Sequence, residues 1–375
     1  MLKRFILSLL LVCGCSAFLY SGEDLYSSES MIARMQNSQE SSSKKSPKNK
    51  GLKHSSKENG YFATLSYLYW YGGEDGMELA TTAVYKSATG FVVPSCEDGK
   101  VAFPDFDYSS GFKVGFGATK SNGNLDIRAD YTYYRQTSHS HKSRDVCSEA
   151  GVGVYLLSNW FVQPSSGNQS IAAGTLRSKW HLGIDWLDVS VARSFSFGKG
   201  WAIKPFGGLR ASWIRQTLDL KAEEIYNIAS VSNPATSHNH SNSWGIGPRA
   251  GLGGEWEVWR DFTCVGSLGS SLLFTQYTHV KHSESQIISG GCPSSYSYHN
   301  YNCLRPMTEI ALGLGWNKSF AEGRRHLLLT ASYEFNYLWA QNMMRKLNDL
   351  FIWGNSAAAN DLYLHGLTLS GRFDF

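Results

Sequence analysis

The sequence predicts an all-β protein: a transmembrane antiparallel up-and-down β-barrel of about 10–12 strands with long extracellular loops. Three observations predict it. Apolar and polar residues alternate with a period of two over segments of 12–20 residues, longer than the strands of most soluble sheets. Tryptophans recur 12 residues apart on one face of such segments. Long and short connections alternate strictly along the chain, as they do in outer-membrane barrels.

The composition agrees with a β-rich protein. The chain has 375 residues, of which 42% are hydrophobic, 14% aromatic and 18% charged, so a disordered protein is excluded. A mean hydropathy of -0.28 and the lack of an apolar run of 18 residues argue against a helical membrane protein. Abundant aromatic residues and glycine, with only 9 prolines, favour strands.

The formal net charge of +4 is confined to the start of the chain. Residues 1–60 carry nine Lys/Arg and five Asp/Glu, so the remaining residues carry 35 − 9 = 26 basic and 31 − 5 = 26 acidic side chains. Because nucleic-acid binding needs a clustered basic face, no nucleic-acid partner is expected.

Residues 1–17 have the pattern of a secretory signal peptide. A basic start precedes an apolar run over residues 5–12 and then small residues up to Ala17, after which cleavage is expected. The residues before Cys15 also resemble a lipoprotein box, in which Cys15 would be lipidated. Both interpretations place the mature chain outside the cytoplasm, and the whole pattern predicts the bacterial outer membrane.

Residues 18–59 are rich in Ser and Lys and bury too little apolar surface to order themselves, so a disordered segment is predicted. It is either a solvated linker or a polybasic tether to an anionic surface or polymer. Residues 60–375 form the predicted barrel.

The tryptophan spacing fits the thickness of a membrane. Trp201 and Trp213 share one face of one segment, and Trp244 and Trp256 share one face of another. Twelve residues at ~3.3 Å each, tilted by ~40°, rise roughly 30 Å, which is near the distance between two aromatic girdles.

The connections predict the topology. Tight turns are predicted near residues 120–124, 198–200, 259–261 and 321–324, and long connections near 72–106, 138–175, 222–243, 282–304 and 342–360. They separate ten strands, with both ends of the barrel periplasmic. A hairpin within residues 77–93 would raise the count to twelve.

The last strand alternates up to a terminal Phe375, a pattern that resembles the signal read by the barrel assembly machinery, which is therefore an expected partner.

Two parts of the predicted strands depart from the alternation of apolar and polar residues. Arg193 falls on an apolar parity and must lie near a strand end or at a bulge, and residues 262–276 alternate poorly.

Five stretches resemble the Legionella major outer membrane protein family, which is shared with the major-outer-membrane-protein-like proteins of environmental chlamydiae. They are YLYWYGGEDGMELA (67–80), DFDYSSGFKVGFG (105–117), DIRADYTYY (126–134), IKPFGGLRASWIRQTLDL (203–220) and SWGIGPRAGLGGEW (243–256). The resemblance extends over residues 61–375 and implies a pore-forming barrel. Its motifs are strand patterns, so they transfer no functional residues.

No catalytic, metal or cofactor site is predicted, and the chain is not expected to be an enzyme. Residues 245–250 match G-x-G-x-x-A, but within an alternating strand rather than at a helix start. The histidine pairs at positions 139 and 141, 238 and 240, and 279 and 282 lack a third ligand at a clear spacing, so they are interpreted as solvated loop residues.

The oxidising envelope permits disulfide bonds. We predict one between Cys292 and Cys303 within a single long connection, with Cys264 in a strand. The five cysteines after the signal peptide include Cys96 and Cys147 in two other connections. An odd number leaves one thiol free or available to another chain.

Charged residues on the polar parity of the strands are predicted to line the lumen, where charge faces water rather than lipid. They are Lys113, Asp126, Arg128, Asp130, Lys204, Arg210, Arg249, Glu255 and Glu309. We therefore expect a porin-like pore for small hydrophilic solutes, without strong charge selectivity because both signs occur.

Ten to twelve strands leave a narrow lumen at best, so a non-conducting alternative stays open: a surface adhesin, or a cysteine-crosslinked structural barrel of the envelope. Outer-membrane lipid and small solutes are the expected partners, with a homo-oligomer or other envelope proteins as further options.

Overall fold

The computed structural model describes residues 60–86, 91–94, 100–120, 125–144, 152–161, 171–197, 200–226, 234–259, 261–285, 293–320, 325–353 and 359–375. The predicted signal peptide and Ser/Lys-rich segment lie outside the described residues. The elements are β1 (Gly60–Glu74), β2 (Ala80–Lys86), β3 (Phe91–Pro94), β4 (Val101–Ala102), β5 (Tyr108–Lys120), β6 (Leu125–Ser143), β7 (Val152–Ser158), β8 (Ile171–Arg193), β9 (Phe195–Phe197), β10 (Trp201–Tyr226), β11 (Ala235–Trp259), β12 (Phe262–Glu284), β13 (Ser295–Phe320), β14 (Arg325–Asn342), α1 (Met343–Trp353) and β15 (Asn360–Asp374).

Ten of these strands form a closed antiparallel barrel. Its order is β1, β5, β6, β8, β10, β11, β12, β13, β14 and β15, and β15 pairs back with β1. The closure register runs from Phe62 opposite Asp374 to Glu74 opposite Leu362. Reciprocal backbone hydrogen bonds between Tyr61 and Phe375 complete it, at 3.1 and 2.9 Å. The predicted up-and-down barrel is confirmed, with ten wall strands.

The predicted hairpin within residues 77–93 exists but does not enter the wall. β2 pairs with β3, β4 and β7, and β7 pairs with the first residues of β8. These short strands therefore extend the sheet on the extracellular side, and the twelve-strand alternative is wrong.

The outward face carries the predicted apolar band between two aromatic girdles. On the periplasmic side, Trp201 and Trp256 are cross-strand partners whose rings stack with centroids 4.9 Å apart. On the extracellular side, Trp213 pairs with Trp244 in the same register. Leu209, between the two girdles, is 56% exposed on the outer surface. This wall fits a bilayer core between the girdles.

The two irregular segments have simple explanations. Arg193 is the last residue of β8, faces outward, and lies 5.1 Å over the ring of Phe195, so it sits at the periplasmic edge of the band. Residues 262–276 lie in β12, where apolar residues face both ways: Leu272 is exposed outside and Leu273 is buried inside.

The strands extend much further than predicted. β10 runs to Tyr226 and β11 begins at Ala235, so most of the expected connection over residues 222–243 is sheet. β6, β12 and β13 also continue beyond the girdle, and residues 343–353 form α1. No helix in the described part of the chain is long and apolar enough to cross a membrane.

The sequence underestimates the strand lengths because the apolar and polar faces of the strands exchange at the extracellular girdle. In β10, Leu209 and Trp213 face outward, whereas Leu218 and Leu220 beyond them face inward and are buried. Asp219 occupies the outward face at that level. Beyond the bilayer the outer surface meets water, so apolar residues are more stable when they pack inside the barrel. Because the outward positions are polar there, the sequence of these strand extensions looks like that of a polar connection.

Candidate functional site

The periplasmic half of the lumen encloses a cavity of about 370 Å³. All nine residues expected to line the lumen line this cavity: Lys113, Asp126, Arg128, Asp130, Lys204, Arg210, Arg249, Glu255 and Glu309. They meet there because the period of two places them on the inward faces of β5, β6, β10, β11 and β13. We call this cavity the vestibule.

A buried ion-pair network crosses the lumen at the upper end of the vestibule. Arg210 on β10 binds Asp188 of the neighbouring β8 through two hydrogen bonds of 2.6 Å. The same guanidinium reaches Glu309 on β13, at 2.9 Å, and Arg249 on β11 also binds Glu309. Since β10 and β13 are three strands apart in the wall, this contact spans the interior.

Further ion pairs neutralise the rest of the vestibule. Lys204 and Arg372 both pair with Asp126, the latter at 3.7 Å. Lys113 on β5 pairs with Glu334 on β14 at 3.4 Å. With acids and bases paired in this way, the vestibule has no strong field of either sign.

The sequence reasoning missed three members of these pairs: Asp188, Glu334 and Arg372. Each occupies the inward parity of its strand, so the same rule applied to β8, β14 and β15 finds them.

Above the network large apolar side chains occupy much of the lumen, with buried polar side chains among them. Trp186 lies directly over Arg210, whose guanidinium is 5.0 Å from the ring centroid. Trp70 and Tyr134 continue the stack, and the Tyr134 hydroxyl donates to the Trp70 carbonyl oxygen at 2.7 Å. These aromatic residues are at most 2% exposed and belong to a cluster that includes 26 buried residues of the described part of the chain, which we call the plug.

The plug combines wall residues with residues of the extracellular connections. Leu79, Trp160 and Phe161 come from connections and are fully buried within it. Trp160 donates its ring N–H to the Glu78 carbonyl oxygen at 2.8 Å. The Ser158 hydroxyl donates to the Leu79 carbonyl oxygen at 2.7 Å, so the two connections are fastened to one another.

One carboxyl group is buried in the plug. Glu74 is the last residue of β1, at its extracellular end, and is 3% exposed. Its Oε1 accepts a hydrogen bond of 2.8 Å from the Gln216 amide, while its Oε2 has no partner among the described residues. Burial raises the pKa of Glu74 to about 8, so this carboxyl is protonated at neutral pH.

The vestibule and the plug share little space. Among the residues lining the vestibule, Trp186 alone belongs to the plug, within the described part of the chain. A second cavity, of about 10 Å³, lies beside Ile214 and Met307, and such a volume holds about one water molecule. In this conformation the vestibule is closed on its extracellular side.

The histidine pairs lie in strands rather than in loops, because the strands extend beyond the girdle. His139, His141 and His238 are exposed on the outer surface of β6 and β11. His282 instead faces inward and bonds Asn239 and Glu284, each at 2.7 Å. The described residues contain no cluster of three or more His, Cys, Asp or Glu that could hold a metal ion.

The cysteine predictions fall partly within the described residues. Cys264 lies in β12, as predicted, and is not bonded to Cys303 of β13. Cys96, Cys147 and Cys292 lie outside the described residues, so the disulfide between Cys292 and Cys303 stays a prediction. Residues 245–250 lie within β11, where the dinucleotide motif has no helix to open.

Solved structures similar to this chain are outer-membrane barrels of low sequence identity. The outer membrane protease OmpT of Escherichia coli is 9% identical, with a TM-score of 0.38, over 84% of this chain and 96% of that one. A major outer membrane protein from Thermus thermophilus is 11% identical, with a TM-score of 0.28, over 84% and 99%. The attachment invasion locus protein Ail of Yersinia pestis is 10% identical, with a TM-score of 0.21, over 85% and 99%. No curated protein matches.

The family comparison covers most of the chain. Residues 54–375 match the model of the Legionella pneumophila major outer membrane protein precursor, and this range contains the whole ten-strand barrel. The chain therefore belongs to the Legionella pneumophila major outer membrane protein family and is a β-barrel of the bacterial outer membrane.

Proposed function

We propose that this protein is a non-enzymatic, non-conducting barrel that presents its long strand extensions at the cell surface. The observation that carries the proposal is the plug, which fills the lumen above the vestibule with buried apolar side chains. A channel for hydrophilic solutes needs a continuous wet path, and at this level Trp180, Leu182 and Leu218 fill the interior with apolar side chains. Gln136 and Gln216, the inward cross-strand partners of Leu182, are also buried and bond within the protein.

Opening the plug would be costly. Each large apolar side chain that moves from a packed interior into water loses about 1.5–3 kcal/mol, and many of the 26 plug residues are large. Wall residues such as Trp180, Leu182 and Leu364 cannot leave the lumen without breaking the barrel, so they would still occupy it if a connection were displaced.

The surface role rests on the length of the strands. β10 continues beyond Trp213 to Tyr226, a stretch that at ~3.3 Å per residue and a ~40° tilt rises roughly 30 Å above the girdle. This extension carries polar and charged side chains outward. It forms a rigid platform on which the connections can meet extracellular partners.

A diffusion pore for small hydrophilic solutes is the second candidate. It is favoured by the vestibule, whose wall contains Gly253, Gly254 and paired charges of both signs and which approaches the periplasmic end. It requires the connection residues Trp160 and Phe161 to leave the lumen, so the plug would act as a gate.

Planar-bilayer recording separates the two functions. Folded wild-type protein should give no reproducible conductance, and Trp160→Ala/Phe161→Ala should also stay silent because the wall residues Trp180, Leu182 and Leu218 still fill the lumen. Conductance of the wild type would overturn the proposal. Conductance of the double variant alone would support a gated pore.

A further inference from the structure

An outward-facing group of basic side chains lies above the extracellular girdle on β6, β8 and β10. Its members are Arg135, Arg177, Lys179, His181 and Arg215, all on the parity that faces away from the lumen. We call it the cationic surface. None of its members takes part in the ion pairs of the lumen, lines the vestibule or belongs to the plug.

Two of its arginines are held together by one carboxylate. Asp185 Oδ2 accepts from Arg135 Nη2 at 2.6 Å and from Arg215 Nη2 at 2.8 Å. The Tyr131 hydroxyl donates to the other oxygen, Oδ1, at 2.6 Å. Two positive charges therefore share one negative charge, and the unit keeps a net charge of +1.

A glycine leaves room for this arrangement. Gly183 on β8 is the direct cross-strand partner of Arg135 on β6 and of Arg215 on β10. A Cβ at Gly183 would lie 3.3 Å from Arg135 Cδ and Nε, closer than ordinary van der Waals contact. Because that position has no side chain, Arg135 lies across it and over the Tyr133 ring, 4.1 Å from the centroid.

The arginines sit at the level where a bilayer presents its headgroups. Arg215 is two residues beyond Trp213 of the girdle, on the same face, which places it roughly 5 Å further out. Arg215 is 58% exposed in its side chain and uses one of its N–H groups on Asp185. Its other donors are therefore available to an outside ligand.

The electrostatic environment is positive. Lys179 forms no ion pair with any described residue. His181 stands between these cations, and burial, followed by the charges of Arg135, Lys179 and Arg215, lowers its pKa below the usual value. The acidic residues nearby are Asp185, Asp219, Glu223 and the exposed Glu224, against five Lys/Arg once Lys221 is included, so an excess of +1 remains.

The opposite side of the barrel lacks this excess at the same level, as far as the described residues extend. There β14, β15 and β1 present an aromatic belt in which Tyr71, Tyr333 and Tyr363 surround His365. Aromatic side chains suit any bilayer interface, whereas arginine pairs suit a specific anion. The distribution of the basic residues is therefore one-sided.

We propose that the cationic surface binds the phosphate groups of a phosphorylated glycolipid in the outer leaflet of the outer membrane. Guanidinium groups bind phosphate through paired, charge-assisted hydrogen bonds. Basic groups at the bilayer surface attract anionic lipid headgroups by about 1 kcal/mol each. Arg135 and Arg215 face the headgroup phosphate, and Lys179 and Arg177, further from the bilayer, face anionic groups of the attached sugars.

The test compares diphosphorylated lipid A with its phosphate-free form, titrated into the folded protein in detergent micelles and measured by native mass spectrometry. The wild type should bind the phosphorylated form more tightly. Arg215→Gln should weaken that binding about fivefold, whereas Lys179→Gln should leave it unchanged, because lipid A lacks the attached sugars that Lys179 faces.

The matched control is Lys281→Gln, since Lys281 is an exposed outward lysine on β12, beyond the girdle but three strands from β8. It should leave binding unchanged. The variants affect exposed side chains, so folding, checked by the gel shift between heated and unheated samples, should be retained. Equal binding of the phosphate-free lipid, or equal losses in Lys281→Gln, would overturn the proposal.

Discussion

Trp186 on β8 meets Trp70 on β1 inside the lumen, with ring centroids 6.3 Å apart, and the Trp186 ring also contacts the Arg210 guanidinium. The two strands are separated by β5 and β6 in the wall, so this contact bridges the interior. It marks the boundary between the charged vestibule and the apolar plug, and it closes the lumen of the ten-strand barrel.

Trp186→Ala should destabilise the protein by about 3–5 kcal/mol, because it leaves a cavity among buried rings. Urea unfolding in detergent, followed by tryptophan fluorescence, measures the change. Leu187→Ala is the matched control on the next, lipid-facing residue, 41% exposed, and should cost less than about 1 kcal/mol. Equal effects of the two variants would contradict the plug.

Arg210→Gln should cost about 3–5 kcal/mol, since Asp188 and Glu309 would be left buried with less compensation. Lys204→Gln tests a pair that is more open to water, with Lys204 27% exposed in its side chain, and should cost less. The same unfolding assay serves for both. An Arg210→Gln protein as stable as the wild type would show that the network does not hold the lumen together.

Glu74 should make stability fall as pH rises. Its pKa in the folded protein is about 8, above the ordinary value of 4.5, so between these values the folded state holds a proton that the unfolded chain releases. The contribution of Glu74 to stability should therefore be highest below pH 4.5, decrease by up to about 1.4 kcal/mol per pH unit across the window, and level off above pH 8.

Thermal unfolding of Glu74→Gln between about pH 5 and pH 9 checks this expectation, because the amide cannot titrate and the decline should flatten. Asp105→Asn changes an acid whose side chain is 57% exposed and should keep the wild-type slope. A Glu74→Gln protein with the wild-type pH profile would contradict the burial of an uncharged carboxyl.

The predicted disulfide can be mapped by alkylating the denatured protein with and without reduction. Because the envelope is oxidising, Cys303 should react only after reduction, and a peptide joining it to Cys292 should appear in mass spectra. Cys264 should react without reduction. Full alkylation of Cys303 in unreduced protein would disprove the pairing.

The sequence by itself determined the barrel, the face of the strand on which each residue lies, and the heights of the two aromatic girdles. A side chain in a strand points to one of only two faces of the sheet, so the alternation of polar and apolar residues was sufficient to place Lys113 and Glu309 in the same cavity. The twelve-residue interval between Trp201 and Trp213 likewise placed both girdles, because the bilayer fixes the height of the apolar band.

Only the tertiary structure decided where the bilayer ends and what fills the lumen. Leu218 and Leu220 face inward and Asp219 outward, which reverses the rule that holds below Trp213. A one-dimensional pattern reports that alternate residues are apolar, but not which face meets lipid, water or packed protein. That choice depends on connections such as the one carrying Trp160, whose contact with the wall is set by closure of the whole barrel.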